Sequence, residues 1–156
     1  MKKVTHNKGF SLMEMLIVIA IMIIILAIVI YSFNTAKSKK QLEVTIDAID
    51  SRLEEAKANA LAGKNGKNFG IQFNTTTYVY FSGNSYNPAD TTNSTTTILS
   101  NLQITKSIAG GGSSIIFSRL TGMPQATGTI IVTDINNNSN TMSITIGTLG
   151  DINVLK

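Results

Sequence analysis

The sequence predicts an α+β protein: one long N-terminal helix, apolar along its first half, whose second half packs on a small antiparallel β-rich head. Three observations carry this. From Leu16 to Ile30 fifteen consecutive residues are apolar. From Leu42 to Ala60 apolar residues recur at helical spacing, and neither Pro nor Gly occurs between Phe10 and Ala62. Beyond Gly63 the chain is rich in Thr, Asn, Ser and Gly, with short β-branched and aromatic runs between turn signals.

The apolar run extends back to Phe10 if Ser11 and Glu14 are tolerated, giving 21 residues. At about 1.5 Å per residue this is roughly the thickness of a bilayer's hydrocarbon core. Its many Ile and Val residues are mediocre helix formers in water, but in lipid the backbone must satisfy its own hydrogen bonds and a helix is forced. No small-residue cleavage site of the secretory type follows Ile30; YSFNTAKSKKQ continues instead. If the chain is cut, Gly9 before Phe10 is the natural place. Lys2, Lys3 and Lys8 ahead of the run are balanced by Lys37, Lys39 and Lys40 after it, so the positive-inside count is a tie. The long polar domain that follows favours an N-terminus on the cytoplasmic side.

Leu42, Ile46, Ile49, Leu53, Ala56 and Ala60 form one stripe at alternating spacings of four and three. Glu43, Asp47, Asp50, Arg52, Glu54, Glu55 and Lys57 occupy the rest of the surface, and Gly63 supplies a stop. The spacing predicts a single helix of about 50 residues, roughly 80 Å long. The stripe fits a helix lying on its own sheet or a coiled-coil seam between subunits.

The period then shifts to strands. Phe69–Phe73 and Tyr78–Phe81, separated by NTTT, read as a hairpin. Ile98–Ile104, Ile115–Leu120, Ile130–Ile135, Met142–Ile146 and Ile152–Leu155 complete seven strands, with turns at GGGSS, TGMP, INNNSN and TLGD. They suit one antiparallel sheet or two small ones. Ser82–Thr97 reads as a long polar loop.

The net charge of +4 mostly reports the N-terminus: without the first nine residues, ten Lys/Arg face nine Asp/Glu. Such a balance gives no basic stripe for nucleic acid. Cysteine is absent, which removes disulfides and thiolate metal sites, and His6 ahead of the apolar run excludes a Ser-His-Asp arrangement in the head. Asp90, Asp134 and Asp151 are the carboxylates beyond the long helix and stand in turn-rich stretches, where Asp bonds its own backbone. Gly110–Ser114 lacks the Lys and hydroxyl of a phosphate-binding loop. We therefore expect no enzyme activity, no cofactor and no metal.

Glu14 differs from these. An acid near the middle of a span costs roughly 3 kcal/mol to insert, and less near an end where the side chain reaches the interface. Glu14 is either such an edge residue or a charge needing a cation, and no basic residue lies within the run. A cut after Gly9 would create an α-amino group on Phe10, one helical turn from Glu14 and within reach of that carboxylate in a neighbouring, axially shifted copy.

Lys8-Gly9-Phe10-Ser11-Leu12, followed by Glu14 and a long apolar helix, resembles the class III leader and N-terminal motif of type IV pilins and type II secretion pseudopilins. The resemblance covers about the first 30 residues. It implies cleavage after Gly9 by a prepilin peptidase, a membrane aspartic protease, and N-methylation of Phe10. It also implies a role for Glu14 in registering subunits through a neighbour's N-terminal amine, and assembly by a cytoplasmic ATPase and a membrane platform protein. Two features depart from the family pattern: Tyr31 stands about where many major pilins have a proline, and no disulfide closes a C-terminal loop. Ser51–Gly83 is similar in pattern to minor-pseudopilin heads in which the long helix runs into an early hairpin.

The resemblance implies a prepilin: a cleaved basic leader at 1–9, a transmembrane and assembly helix at 10–33, an amphipathic continuation at 34–62 and a β-rich head at 63–156. Its partners would be copies of itself and related pilins. The precursor would be a single-pass cytoplasmic-membrane protein, the product an extracellular or periplasmic filament. Alternatives are a minor pseudopilin of a type II secretion system, or a competence or tip pilin whose head touches DNA or a surface through Lys64, Lys67, Lys106 or Arg119.

Overall fold

The computed structural model describes residues 9–156, with the side chains of Tyr31 and Asn34 left aside. Lys2, Lys3, His6 and Lys8, in the segment expected to be a leader, lie outside the described residues. Helix α1 runs from Leu12 to Leu61 as one 50-residue element. The chain divides into two units, one ending at Lys37 and the other comprising Ser38–Lys156.

In the first unit the helix has no covered face. Every large apolar side chain from Leu16 to Ile30 is between 49% and 64% exposed. The helix is long and apolar enough to cross a membrane. An all-round apolar surface belongs in lipid or against other apolar helices.

In the second unit the helix is one-sided. Leu42, Ile46, Ile49, Leu53, Ala56 and Ala60 are each no more than 1% exposed and join one hydrophobic cluster with the sheets. The stripe therefore packs within the chain. Val44 and Leu61, off it, remain about half exposed. Gly63, in left-handed conformation (φ 61°), ends the helix, and its N–H donates to the Ala60 carbonyl (2.9 Å).

Eight strands follow among the described residues: β1 Phe69–Phe73, β2 Thr77–Ser82, β3 Ser94–Thr97, β4 Leu102–Ile108, β5 Ser114–Phe117, β6 Gly128–Asp134, β7 Asn137–Ile146 and β8 Ile152–Leu155. They form two four-stranded antiparallel sheets, ordered β3-β2-β1-β5 and β4-β6-β7-β8. Phe69, Ile71, Tyr78, Ile115 and Phe117 of the first sheet and Ile104, Ile130, Val132, Ile144 and Ile146 of the second meet α1 in the common cluster. Asn59 ties the helix to the first sheet by donating to the Tyr80 hydroxyl (2.8 Å). Ser38 donates to Asp134 at the end of β6.

The first sheet also has a buried outer face. Val79, Phe81 and Ile116 point away from the cluster yet are buried, and Tyr86 meets Phe81 edge-on at 5.5 Å. Gly70 pairs with Ile116 across this face; a Cβ there would stand 2.5 Å from the Ile115 carbonyl oxygen and 3.0 Å from the Ile116 Cα, so close strand approach demands glycine.

Four expectations are corrected. The strand expected at Ile115–Leu120 ends at Phe117, where the chain turns, and Asn137–Asn140 of INNNSN belong to β7, which leaves a two-residue turn at 135–136. Ile98–Ile104 is not one strand: the chain turns at 98–101, with Leu102 N–H donating to Leu99 O (2.9 Å), and passes from the first sheet to the second. Ser82–Thr97 is not wholly loop, because its last four residues pair with β2 as the edge strand β3. Ser-Thr-Thr-Thr lacks the apolar alternation that marks a half-buried strand, but Thr is β-branched and suits an exposed edge.

Candidate functional site

Gly9 and Phe10 precede the helix in non-helical backbone, and both are exposed, Phe10 by 80%. The Ser11 carbonyl accepts the Met15 N–H (3.2 Å), which makes Ser11 the residue that opens the helix and places Glu14 in its first turn. A negative charge there faces the positive end of the helix dipole and the unsatisfied N–H groups. The structure thus places Gly9 and Phe10 just ahead of the helix and Glu14 in its first turn. Glu14 is exposed, and between Gly9 and Ala36 the chain offers it no Lys or Arg.

Among the described residues no packing contact calls for glycine at position 9. A Cβ there would meet no atom within 4 Å, and its φ lies outside the left-handed range. Gly70 is the contrast, since its lack of a side chain is explained by β5.

The other candidate residues serve local structure. Lys40 pairs with Glu43 (2.9 Å) and holds its carboxyl below the usual carboxylate range, with help from Lys156. Lys156 reaches Asp47 (2.9 Å) and Glu43 (3.6 Å), and Asp47 raises its ammonium pKa. Asp90 accepts the Thr92 N–H and hydroxyl, which lower its pKa; Asp134 accepts the Asn136 N–H (3.0 Å); Asp151 accepts the Asn153 amide (3.0 Å). These are turn-forming carboxylates, as expected. No cluster of three His, Cys, Asp or Glu suited to a metal occurs among the described residues.

The four candidate DNA contacts do not converge. Arg119 lies against the turn that holds Lys64: a Cβ on Gly66 would stand 3.4 Å from its guanidinium, and its N–H donates to Asn68 (2.7 Å). Lys67 follows that turn, at the start of β1. Lys106 donates instead to the carbonyl of Phe73, at the far end of β1, about 13 Å away along the strand.

Sequence reasoning missed two features. Lys156 tethers β8 to α1, and no local pattern links it to residues more than a hundred positions earlier. Asp50 has no ion-pair partner among the described residues; partial burial raises its pKa, and Glu54 and Asp47 add to the effect.

Residues 5–30 match the family model described as the prokaryotic N-terminal methylation motif. No curated protein matches the chain. Among solved structures, the chain is similar to the minor pseudopilin EpsH of the Vibrio cholerae type 2 secretion system, with TM-score 0.58 and 15% identity over 74% of this chain and 96% of that one. It is also similar to the type IV minor pilin FimU of Pseudomonas aeruginosa, with TM-score 0.55 and 13% identity over 74% and 93%. The chain carries a class III-type N-terminal motif on a pilin-type α+β fold.

Proposed function

We propose that this chain is a precursor subunit of a type IV pilus-type filament, cut between Gly9 and Phe10 and polymerised through its N-terminal helix. The observation that carries the reading is the methylation motif at the head of a helix whose first half is apolar on every side. Such a surface is satisfied by lipid in the precursor and by other copies of the same helix in a fibre. Gly9 fits as a residue read by an external peptidase, because no described part of the chain packs where its side chain would stand.

The parts follow from that role. Residues 1–9 are the leader removed by a prepilin peptidase, and 10–33 are the segment held in the cytoplasmic membrane and then in the filament core. Residues 34–62 continue that helix into the β-rich head at 63–156. Hydrolysis of the Gly9–Phe10 peptide bond leaves an α-amino group on Phe10 that stays basic after N-methylation. Glu14 of a neighbouring copy supplies the carboxylate that receives it. An ATPase and a platform protein of the membrane drive the transfer, and the filament stands outside the cytoplasmic membrane. The subunit acts by assembly and not by catalysis.

A second reading, a minor subunit of a secretion-type pseudopilus or pilus, is supported by likeness of fold to EpsH and FimU over 74% of the chain. A DNA-binding head is less well supported, because Lys106 stands apart from Lys64, Lys67 and Arg119.

Intact-mass and N-terminal peptide measurements on the chain from an assembling cell test the reading. An N-methylated Phe10 terminus is expected. A retained Met1, with Gly9–Phe10 uncut, overturns it.

A further inference from the structure

Two surfaces of the Ser38–Lys156 unit are left unpartnered and differ in chemistry. The first lies where α1 ends. Three segments converge there: a Cβ on Gly122 would stand 2.7 Å from the Leu61 side chain, one on Gly63 3.0 Å from Leu120, and one on Gly150 2.8 Å from the Gly122 carbonyl oxygen. Leu120, held by its N–H donating to Ala60 O (2.8 Å), adopts a left-handed conformation (φ 67°) unusual for a leucine and is 65% exposed. Leu61, Met123 and Leu149 are 46%, 49% and 76% exposed. Lys64 and Arg119 border this apolar patch, and neither has an ion-pair partner among the described residues. Single exposed leucines are ordinary; a group drawn from three segments at one end of a helix marks a contact surface.

The second surface is the solvent side of α1. Asp47, Asp50 and Glu54 form an acidic row at helical spacing, beside the small exposed side chains Ala48, Ser51 and Ala58. Lys156 pairs with Asp47 and acts on Asp50 only at longer range, and neither Asp50 nor Glu54 forms an ion pair among the described residues. Their mutual repulsion contributes to the raised pKa of Asp50. A row of acids next to small residues admits a close-lying surface that brings its own cations.

We propose that the patch at the end of α1 in one copy docks on the acidic side of α1 in the next copy of the same chain, Lys64 and Arg119 meeting Asp50 and Glu54. Charge complementarity selects this occupant: the chain's own surface supplies both halves, basic around an apolar centre and acidic beside a small-residue seam. Copies held parallel, as the filament reading has them, make this contact in one direction only, so it is heterologous and repeats without closing, which generates a line of copies and not a dimer. Their charge centres are offset by roughly 15 Å along α1, about ten residues of helix, so each copy is displaced axially from its neighbour. The inference rests on the filament reading and adds to it the order of the heads.

Introduced cysteines read this contact without background, because the native chain has none. Ser51→Cys and Leu149→Cys are placed in the full-length chain in assembling cells, oxidised, and resolved on non-reducing gels; Leu61→Cys replaces Leu149→Cys if the latter lowers the amount of chain. The double variant is expected to give a ladder of covalent multimers. Each single variant should remain monomeric, and mixed singles should stop at a dimer. Lys64→Glu with Arg119→Glu should reduce the ladder at least tenfold, and adding Asp50→Lys with Glu54→Lys should restore it. Self-coupling of a single variant, or coupling to a different protein identified by mass, overturns the proposal. So does absence of the ladder from filaments that contain the chain with a processed Phe10 terminus, and the filament reading then stands. An unprocessed chain absent from any filament removes both.

Discussion

Replacing Leu53 by alanine tests whether the second half of α1 is committed to its own sheets. Leu53 is 0% exposed and lies in the common cluster with Ile49 and Ala56 on the same stripe. Losing about three buried carbons removes about 2.4 kcal/mol of transfer free energy, and the cavity adds about 1 kcal/mol, for a total near 3.5 kcal/mol. For a unit of this size that is a fall in Tm of roughly 10–15 °C. The measurement is thermal unfolding of the full chain in detergent micelles, followed by near-UV circular dichroism of its tyrosines, three of which (Tyr78, Tyr80 and Tyr86) lie in the head. Val44→Ala is the control, on the same helix but 57% exposed, and should stay within about 0.5 kcal/mol of the parent. Equal shifts for the two variants would refute the assignment of buried and free faces. The free face would then no longer be available to a neighbouring copy.

Other substitutions probe separate links. Gly9→Val should leave the melting temperature unchanged, since no atom lies near its Cβ, while processing at Phe10 falls at least tenfold by mass spectrometry; a normal cut would remove Gly9 from the recognition motif. Gly70→Ala should destabilise the head by about 3 kcal/mol, because its methyl would overlap the β5 backbone, and urea unfolding measures this. Asp50 has a folded-state pKa raised above 3.8, so its ionised form is penalised by folding at neutral pH and the penalty disappears below 3.8. Asp50→Asn should therefore raise Tm at pH 7 and give no gain at pH 3. Glu43 has the opposite sign: its pKa lies below 4.5, and its contribution is lost only as pH falls through that lowered value.

The long helix and its buried stripe were legible because both are periodic over many turns, and six of six stripe residues proved buried. β1 and β8 were legible to the residue, being short apolar runs between clear turn signals. The division of 98–104 was not. Ile98 and Leu99 continue an apolar run into Leu102 and Ile104, and the sequence carries no sign that Ser100-Asn101 marks the passage between sheets. Strand β3 escaped because its partner β2, not its own pattern, makes it a strand. For the site, the motif placed Gly9, Phe10 and Glu14 at one helix end, where the structure has them. The patch around Leu120 was hidden because its parts are some sixty and thirty residues apart and meet only through tertiary packing.

The helix end also decides what Glu14 contributes. A helical side chain leans toward the N-terminus of its helix, so the Glu14 carboxylate leans toward the end of α1 where the proposed cleavage would leave the Phe10 amine. The dipole of the helix's own first turn favours the Glu14 carboxylate by about 0.3–1 kcal/mol. Assembly as proposed gives that carboxylate the Phe10 amine of a neighbouring copy. On the proposed reading the pair then fixes axial register, while the apolar surface from Leu16 to Ile30 supplies the attraction between helices. Glu14→Gln separates the two. The variant chain should still insert, be cut at Phe10, and associate with its own kind in detergent to within about twofold of the parent by cross-linking yield, while filaments fall at least tenfold. Loss of helix association together with filaments would show that the carboxylate carries affinity, and unchanged filaments would show that it carries neither.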